Sequence, residues 1–300
     1  MKTLAAALLA ATLPLVLMQP AQASAQTAEA ATASAHFSME VVGEGPDIIL
    51  LPGLATPRAV WQPTAERLAA THRVHLLQVR GFGEDAGANA TGPVLEPLVA
   101  DLATYIRREG LEAPALVGHS LGGLAALMLA SGHPDLPGKV MVVDALPWFG
   151  ALMMPGADAS VAMIEPRAAQ MRDAVAATYG SEPSEAALSQ QIGGQVLDEA
   201  NLPLLREWAR AADPRVTATL LYEDMVTDLR QDIARIEAPV TVLYPFNDGF
   251  PTEAMAGAFY PAQYAALPAT HFVAIGQSGH FVMLDRPGEF AEALDAFLAD

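Results

Sequence analysis

Short runs of contiguous apolar residues alternate along this chain with longer stretches in which apolar residues recur every three or four positions. Ile48-Ile49-Leu50-Leu51 and Val140-Met141-Val142-Val143 are apolar at every position, as strands buried on both faces are. Strands are expected at Phe37–Val42, Asp47–Leu51, Arg73–Val79, Ala113–Val117, Val140–Val143, Val240–Tyr244 and His271–Ile275. Helices are expected between them, at Ala59–Ala70, Leu95–Glu109, Leu121–Gly132, Glu253–Phe259 and Pro287–Leu298, each closed by Gly, Pro or a polar cluster. This alternation predicts an α/β fold: a mostly parallel central sheet with helices on both faces.

The alternation stops between Leu146 and Ile236. Helical periodicity prevails there, with Met, Ala and Leu on one face, and Val216 to Tyr222 is the nearest approach to a strand. The segment leaves the sheet straight after one strand and returns straight before the next. It therefore belongs at the carboxyl edge of the strands, where open α/β sheets bind ligands. The expected organisation is a core of residues 37–146 and 237–300, with residues 147–236 inserted as a mainly helical lid.

The amino terminus has a different texture. Lys2 precedes an uncharged apolar stretch from Leu4 to Leu17, and Ala21-Gln22-Ala23 supplies a small-x-small site. Residues 1–23 thus read as a secretory signal peptide, too short in its apolar run to span a bilayer. Residues 24–36 are rich in Ala, Ser, Thr and Gln and read as a flexible linker. The expected location is the bacterial periplasm or the exterior, with no membrane insertion of the mature chain. A formal net charge of −18 makes nucleic acid and anionic membranes poor partners. The absence of cysteine removes disulfides, thiolate metal sites and a thiol nucleophile from consideration.

Chemistry concentrates first at Ala115-Leu116-Val117-Gly118-His119-Ser120-Leu121-Gly122-Gly123. A Gly-x-Ser-x-Gly spacing between an apolar run and a helical one places the serine at the tip of a sharp strand-to-helix turn. A serine hydroxyl needs a base, an acid that orients the base, and donors for the developing oxyanion. His280, in the loop between the last strand and the last helix, is the candidate base; His119 adjoins the serine but should point away from it. Asp248, in Asn247-Asp248-Gly249 after the strand at Val240–Tyr244, is the candidate acid. It is preferred to its rival Asp144 because an acid after the penultimate strand is the commoner arrangement. The N–H of Leu121 at the start of the helix and that of Leu54 in Leu51-Pro52-Gly53-Leu54 are the candidate oxyanion donors. The histidines are scattered and no glycine loop precedes a helix in the manner of a phosphate site, so neither metal nor cofactor is expected.

These pieces together resemble the α/β-hydrolase family. The serine elbow, the Leu-Pro-Gly turn followed by Trp61, Arg80-Gly81-Phe82-Gly83, and Gly279-His280-Phe281 followed by Asp285-Arg286-Pro287 match it in type and order. One departure is Pro52, where many members carry histidine. The resemblance implies a nucleophile at Ser120, acid at Asp248, base at His280, and an oxyanion hole at Leu54 and Leu121. Taken with the leader at residues 1–23, it implies an exported serine hydrolase acting on a small-molecule carboxylic ester. Lactone or carbon–carbon bond hydrolysis with the same triad is the alternative, and a non-catalytic ligand-binding protein a more distant one. Met153, Met154, Met163, Met171, Trp148, Phe149 and Trp208 could line an apolar pocket or simply pack the lid onto its core. Oligomeric state is left open.

Overall fold

The computed structural model describes residues 34–154 and 159–299. The proposed signal peptide, and the linker up to residue 33, lie outside the described residues. The described residues fall within one compact unit, Ala31–Asp300.

The core elements follow in the order β1 (Phe37–Val42), β2 (Asp47–Leu51), α1 (Gln62–Leu68), β3 (Arg73–Val79), α2 (Leu95–Arg108), β4 (Ala115–His119), α3 (Leu121–Gly132) and β5 (Lys139–Val143). After β5 come α4 (Gly150–Met153), α5 (Val161–Ala176), α6 (Glu185–Ile192), α7 (Leu202–Ala211) and α8 (Pro214–Val226). The sheet resumes with β6 (Val240–Phe246), then α9 (Glu253–Gln263), β7 (His271–Gly276), α10 (Val282–Asp285) and α11 (Pro287–Ala299).

The seven strands form one sheet in the order β1-β3-β2-β4-β5-β6-β7, with β1 antiparallel to β3 and every other pair parallel. Successive residues of a strand face opposite sides, and both sides are covered. Ile49, Leu51, Val140 and Val142 pack into the core under α2 and α3, while Ile48, Leu50, Met141 and Val143 pack into a second core with Trp61 and α11. That two-sided burial is why these strands carry no polar alternation.

Two expectations need correction, the start of the fourth strand and the end of the linker, while the stretch of the insertion nearest to a strand follows the helical expectation. The fourth strand begins at Ala115 rather than Ala113, which has φ of 47° and so turns the chain before Pro114. Val216–Tyr222 is helical: Pro214 opens α8 at a position where its missing N–H costs nothing, and the Asp213 carboxylate caps the helix by accepting from the Arg215 N–H at 2.9 Å. The last residues assigned to the linker are held against the core. Ser34 Oγ donates to Asp101 at 2.7 Å, and His36 shares a 2.6 Å hydrogen bond with Asn89.

Among the described residues, no strand interrupts the chain between β5 and β6. Trp148 is fully buried in a small apolar core with Ile164, Ala168 and Met225, so part of the aromatic and methionine content of this helical insertion packs its own helices together. Met163, by contrast, is 54% exposed.

Candidate active site

The elbow at Ser120 depends on three glycines with no room for a side chain. A Cβ on Gly118 would lie 2.2 Å from the Gly122 carbonyl oxygen, and one on Gly122 would lie 2.4 Å from that of Leu51. One on Gly123 would meet the Ala145 methyl at 2.7 Å. These close approaches let α3 start directly against the end of β2, and they force Ser120 into a left-handed conformation with φ of 54°. Such a backbone is costly for a non-glycine residue and persists only because its surroundings over-determine it. The Ser120 N–H donates to the Val143 carbonyl at 3.0 Å and the Ser120 carbonyl accepts from Gly123 at 2.7 Å, which fixes the turn and leaves the side chain half-exposed.

The turn after β2 lies against the serine. A Cβ on Gly53 would sit 3.1 Å from Ser120 Cβ, so the Leu54 peptide is beside the elbow, and the turn is closed by Thr56 N–H donating to the Gly53 carbonyl at 3.3 Å. Among the described residues, the N–H groups of Leu54 and Leu121 have no protein acceptor. Both candidate oxyanion donors are thus unspent and adjacent to Ser120, one of them at the positive end of α3. Pro52 does not remove the Leu54 donor.

His280 reaches the elbow from the loop after β7. Asp285 shapes that loop by accepting from Gly279 N–H at 2.8 Å and from Leu197 and Asp198 N–H at 2.9 and 3.0 Å, tying it to the insertion. The His280 imidazole lies 4.4 Å, centroid to centroid, from the ring of His119, the residue preceding Ser120. Its Nδ1–H donates to Asp144 Oδ2 at 2.6 Å. The second Asp144 oxygen accepts from the Tyr260 hydroxyl of α9. Burial pushes the Tyr260 phenol well above its usual range and the neighbouring Asp144 carboxylate adds to that, so it acts as a donor.

The partner of His280 is therefore Asp144, not Asp248. Asp248 is exposed and makes no hydrogen bond to His280. Its loop is closed on itself, because Asn247 Oδ1 accepts from the N–H groups of Gly249 and Phe250 at 2.8 and 2.9 Å. That Asp-Gly is a turn former; Asp144, which leaves β5 with φ of 47°, is the carboxylate aimed along the sheet edge at the imidazole.

His119 is fully buried and its Nε2–H donates to the His280 carbonyl at 3.0 Å. Burial, with His280 adding to it, holds its pKa well below the usual histidine value, so it stays neutral. Its ring supports the backbone of His280, and its Nδ1 lies against Gly53 in the turn beside the elbow. One residue of this neighbourhood was not singled out from the sequence: Tyr260. A tyrosine inside a helical segment carries no local mark of a site.

Residues 48–293 match the family model described as "Alpha/beta hydrolase family". The chain belongs to the alpha/beta hydrolase family, and the protein is a hydrolase of that family. It is 28% identical over 268 residues to a pimeloyl-[acyl-carrier protein] methyl ester esterase of Aeromonas hydrophila, a match covering 87% of this chain and 98% of the relative. The esterase of the same description from Vibrio atlanticus is 26% identical, with 86% and 96% covered. The fold is that of the enol-lactonase of Burkholderia xenovorans, at TM-score 0.71 and 21% identity over 89% of this chain and 99% of that one. It is likewise that of a thermophilic esterase of Thermogutta terrifontis, at TM-score 0.71 and 22% identity over 88% and 93%.

Proposed function

We propose that the protein is an exported serine hydrolase that cleaves a carboxylic ester of small to medium size through Ser120, His280 and Asp144. The observation that carries this reading is the 2.6 Å hydrogen bond from His280 to Asp144, on an imidazole packed beside a strained serine elbow. The bond fixes the tautomer in which Nε2 is the free base, and the carboxylate stabilises the imidazolium that forms when Nε2 takes a proton.

In the proposed cycle the Ser120 hydroxyl gives its proton to His280 as Oγ attacks the ester carbonyl. The N–H groups of Leu54 and Leu121 receive the negative charge that builds on the carbonyl oxygen. The intermediate collapses as His280 returns the proton to the departing alkoxide, leaving an acyl group on Ser120. Water enters, His280 takes its proton, the second intermediate collapses, and the acid leaves with Ser120 reprotonated. Each step uses side chains and backbone donors of this chain. Ester chemistry, rather than another acyl transfer, is favoured by the methyl ester esterases to which most of the chain is similar.

Export rests on the leader pattern of residues 1–23, with cleavage after Ala23. Cell fractionation and amino-terminal sequencing of the mature chain test it. The catalytic reading is tested with p-nitrophenyl butyrate and a fluorophosphonate probe. Turnover is expected, together with covalent labelling that Ser120→Ala abolishes. Equal labelling of parent and Ser120→Ala would overturn the assignment.

A further inference from the structure

The connection after β6 turns Asp248 out to solvent, yet the helix that follows it comes back to the site. Tyr260 lies in α9 and Tyr264 caps its end, four residues apart and so on one face. Both are buried, and they grip successive residues of another connection. The Tyr260 hydroxyl donates to Asp144 Oδ1, and the Tyr264 hydroxyl donates to the Ala145 carbonyl at 2.9 Å.

Aromatic packing fixes that face. The Tyr260 ring stacks on Tyr244 of β6, 4.7 Å between centroids and 17° between planes, and meets Phe259 edge to face at 5.8 Å. Tyr264 meets Phe272 of β7 edge to face at 5.9 Å. The two phenols thus reach Asp144 and Ala145 on rings packed against two strands of the sheet.

Asp144 needs such a partner. Its backbone is left-handed, with φ of 47°, and its own N–H is committed to the Leu243 carbonyl at 2.8 Å. Among the described residues, the side chains that donate to its carboxylate are those of His280 and Tyr260. Without the phenol one carboxylate oxygen would be left unpaired in a mostly buried place, which is costly. Turning that oxygen towards water relieves the cost and breaks the bond to the imidazole.

We infer that Tyr260 is a positioning residue of the triad, its hydroxyl holding the Asp144 carboxylate in the orientation that faces His280 Nδ1. This rests on the ester-hydrolase reading above. The segment after β6, marked in the sequence by Asp248, serves the site with a phenol instead of a carboxylate. A cation in place of the phenol would offset the charge that stabilises the imidazolium, whereas a neutral donor leaves it.

The test is a cycle of kcat measurements on p-nitrophenyl butyrate with the parent, Tyr260→Phe, Asp144→Ala and the double variant. Tyr260→Phe keeps the stacked ring and is expected to lower kcat about tenfold, the scale of one hydrogen bond to a charged group. On Asp144→Ala no carboxylate remains to be held, and the same substitution should change kcat by less than about twofold. A structural role alone would cost the same factor in both backgrounds. The spectroscopic reading is the low-field proton resonance of His280 Nδ1, assigned by its loss in Asp144→Ala. In Tyr260→Phe it should move upfield or vanish through exchange. Equal losses in the two backgrounds, no loss in the parent background, or a resonance that stays in place would each overturn the inference. If the phenylalanine variant fails to fold, fluorotyrosine incorporated into the parent alters the donor without removing it; the same resonance should then move, and one left in place overturns the inference. Fluorophosphonate labelling of the parent is scored separately: its failure would sink the ester-hydrolase reading, whereas labelling with an unmoved resonance would sink only the role of Tyr260.

Discussion

The Asp144 carboxylate is shared between two donors, His280 Nδ1 at 2.6 Å and the Tyr260 hydroxyl, one on each oxygen. With 13% of its side chain exposed and both oxygens engaged, it has little freedom to turn away from the imidazole. Replacing it by asparagine keeps the shape and removes the acceptor that selects the tautomer. Asp144→Asn is expected to lower kcat on p-nitrophenyl butyrate by about 10³ to 10⁴, the scale of losing the orienting acid of a serine triad. Asp248→Asn should stay within about twofold of the parent, as exposed substitutions away from a site do. The reverse result would return the role to Asp248.

The contrast between these two aspartates marks where the sequence stops being informative. Each follows a buried strand, and each opens at the same edge of the sheet. What separates them is distant in the chain: the Tyr260 hydroxyl on α9 and the loop held by Asp285 converge on Asp144, while Asn247 folds the other turn in on itself. Strands buried on both faces were legible because every residue of Ile48–Leu51 or Val140–Val143 must be apolar. Ser120 was legible because its glycines are imposed by backbone contacts four and five residues away as well as by the end of β2. Asp224 was not, since the adjacent acids Glu223 and Asp224 near the end of a helix read as solvated positions. Its burial follows from how α8 packs, which no local pattern encodes.

His119 ties the elbow to the base through its hydrogen bond to the His280 carbonyl. His119→Ala should lower kcat by about ten- to a hundredfold through a misplaced imidazole, a loss of the kind that follows displacement by about 1 Å. Stability carries a second signature. The native ring stays neutral while the unfolded one titrates near 6.5, so the unfolded state binds the extra proton below that pH. The advantage of the parent over His119→Ala should therefore be full above pH 6.5 and shrink as pH falls below it. Urea unfolding of both proteins at pH 7.5 and pH 5.5, about one unit to either side of the usual histidine value, reads the change.

Gly122 and Gly132 both lie in α3, and they should respond oppositely to alanine. At Gly122 the new methyl would press on the Leu51 and Pro52 carbonyl oxygens at 2.4 and 2.6 Å, both backbone atoms that cannot step aside. Gly122→Ala is expected to cost about 2 kcal/mol or more and to part the Leu54 and Leu121 donors, lowering kcat with it. At Gly132 no atom lies within 4 Å of a Cβ. Gly132→Ala should stabilise by about 0.4–1 kcal/mol, chiefly by narrowing the unfolded ensemble, and leave turnover as it is. Thermal unfolding and kinetics of the two variants side by side separate crowding at the elbow from a general effect of alanine in this helix.

The buried Asp224 carboxyl leaves a mark on stability that is independent of any substrate. Its pKa is raised from 3.8 to about 7 by burial, with the charge of His280 opposing part of the rise. Between those values the folded protein holds a proton that the unfolded chain has released. The contribution of the neutral acid is fully present below pH 3.8 and is lost as pH rises towards 7. Asp224→Asn has no such proton to lose. Its stability relative to the parent should therefore rise with pH, and the full excursion across the window is worth up to about 4 kcal/mol at about 1.4 kcal/mol per pH unit. Contributions from every other titrating group largely cancel in the difference between two proteins that differ at this one position. Urea midpoints of parent and variant measured at pH 5 and pH 8, about two units below and one unit above the raised value, give the sign directly. A difference that stays level between these two values would show that the carboxyl is not held in its neutral form.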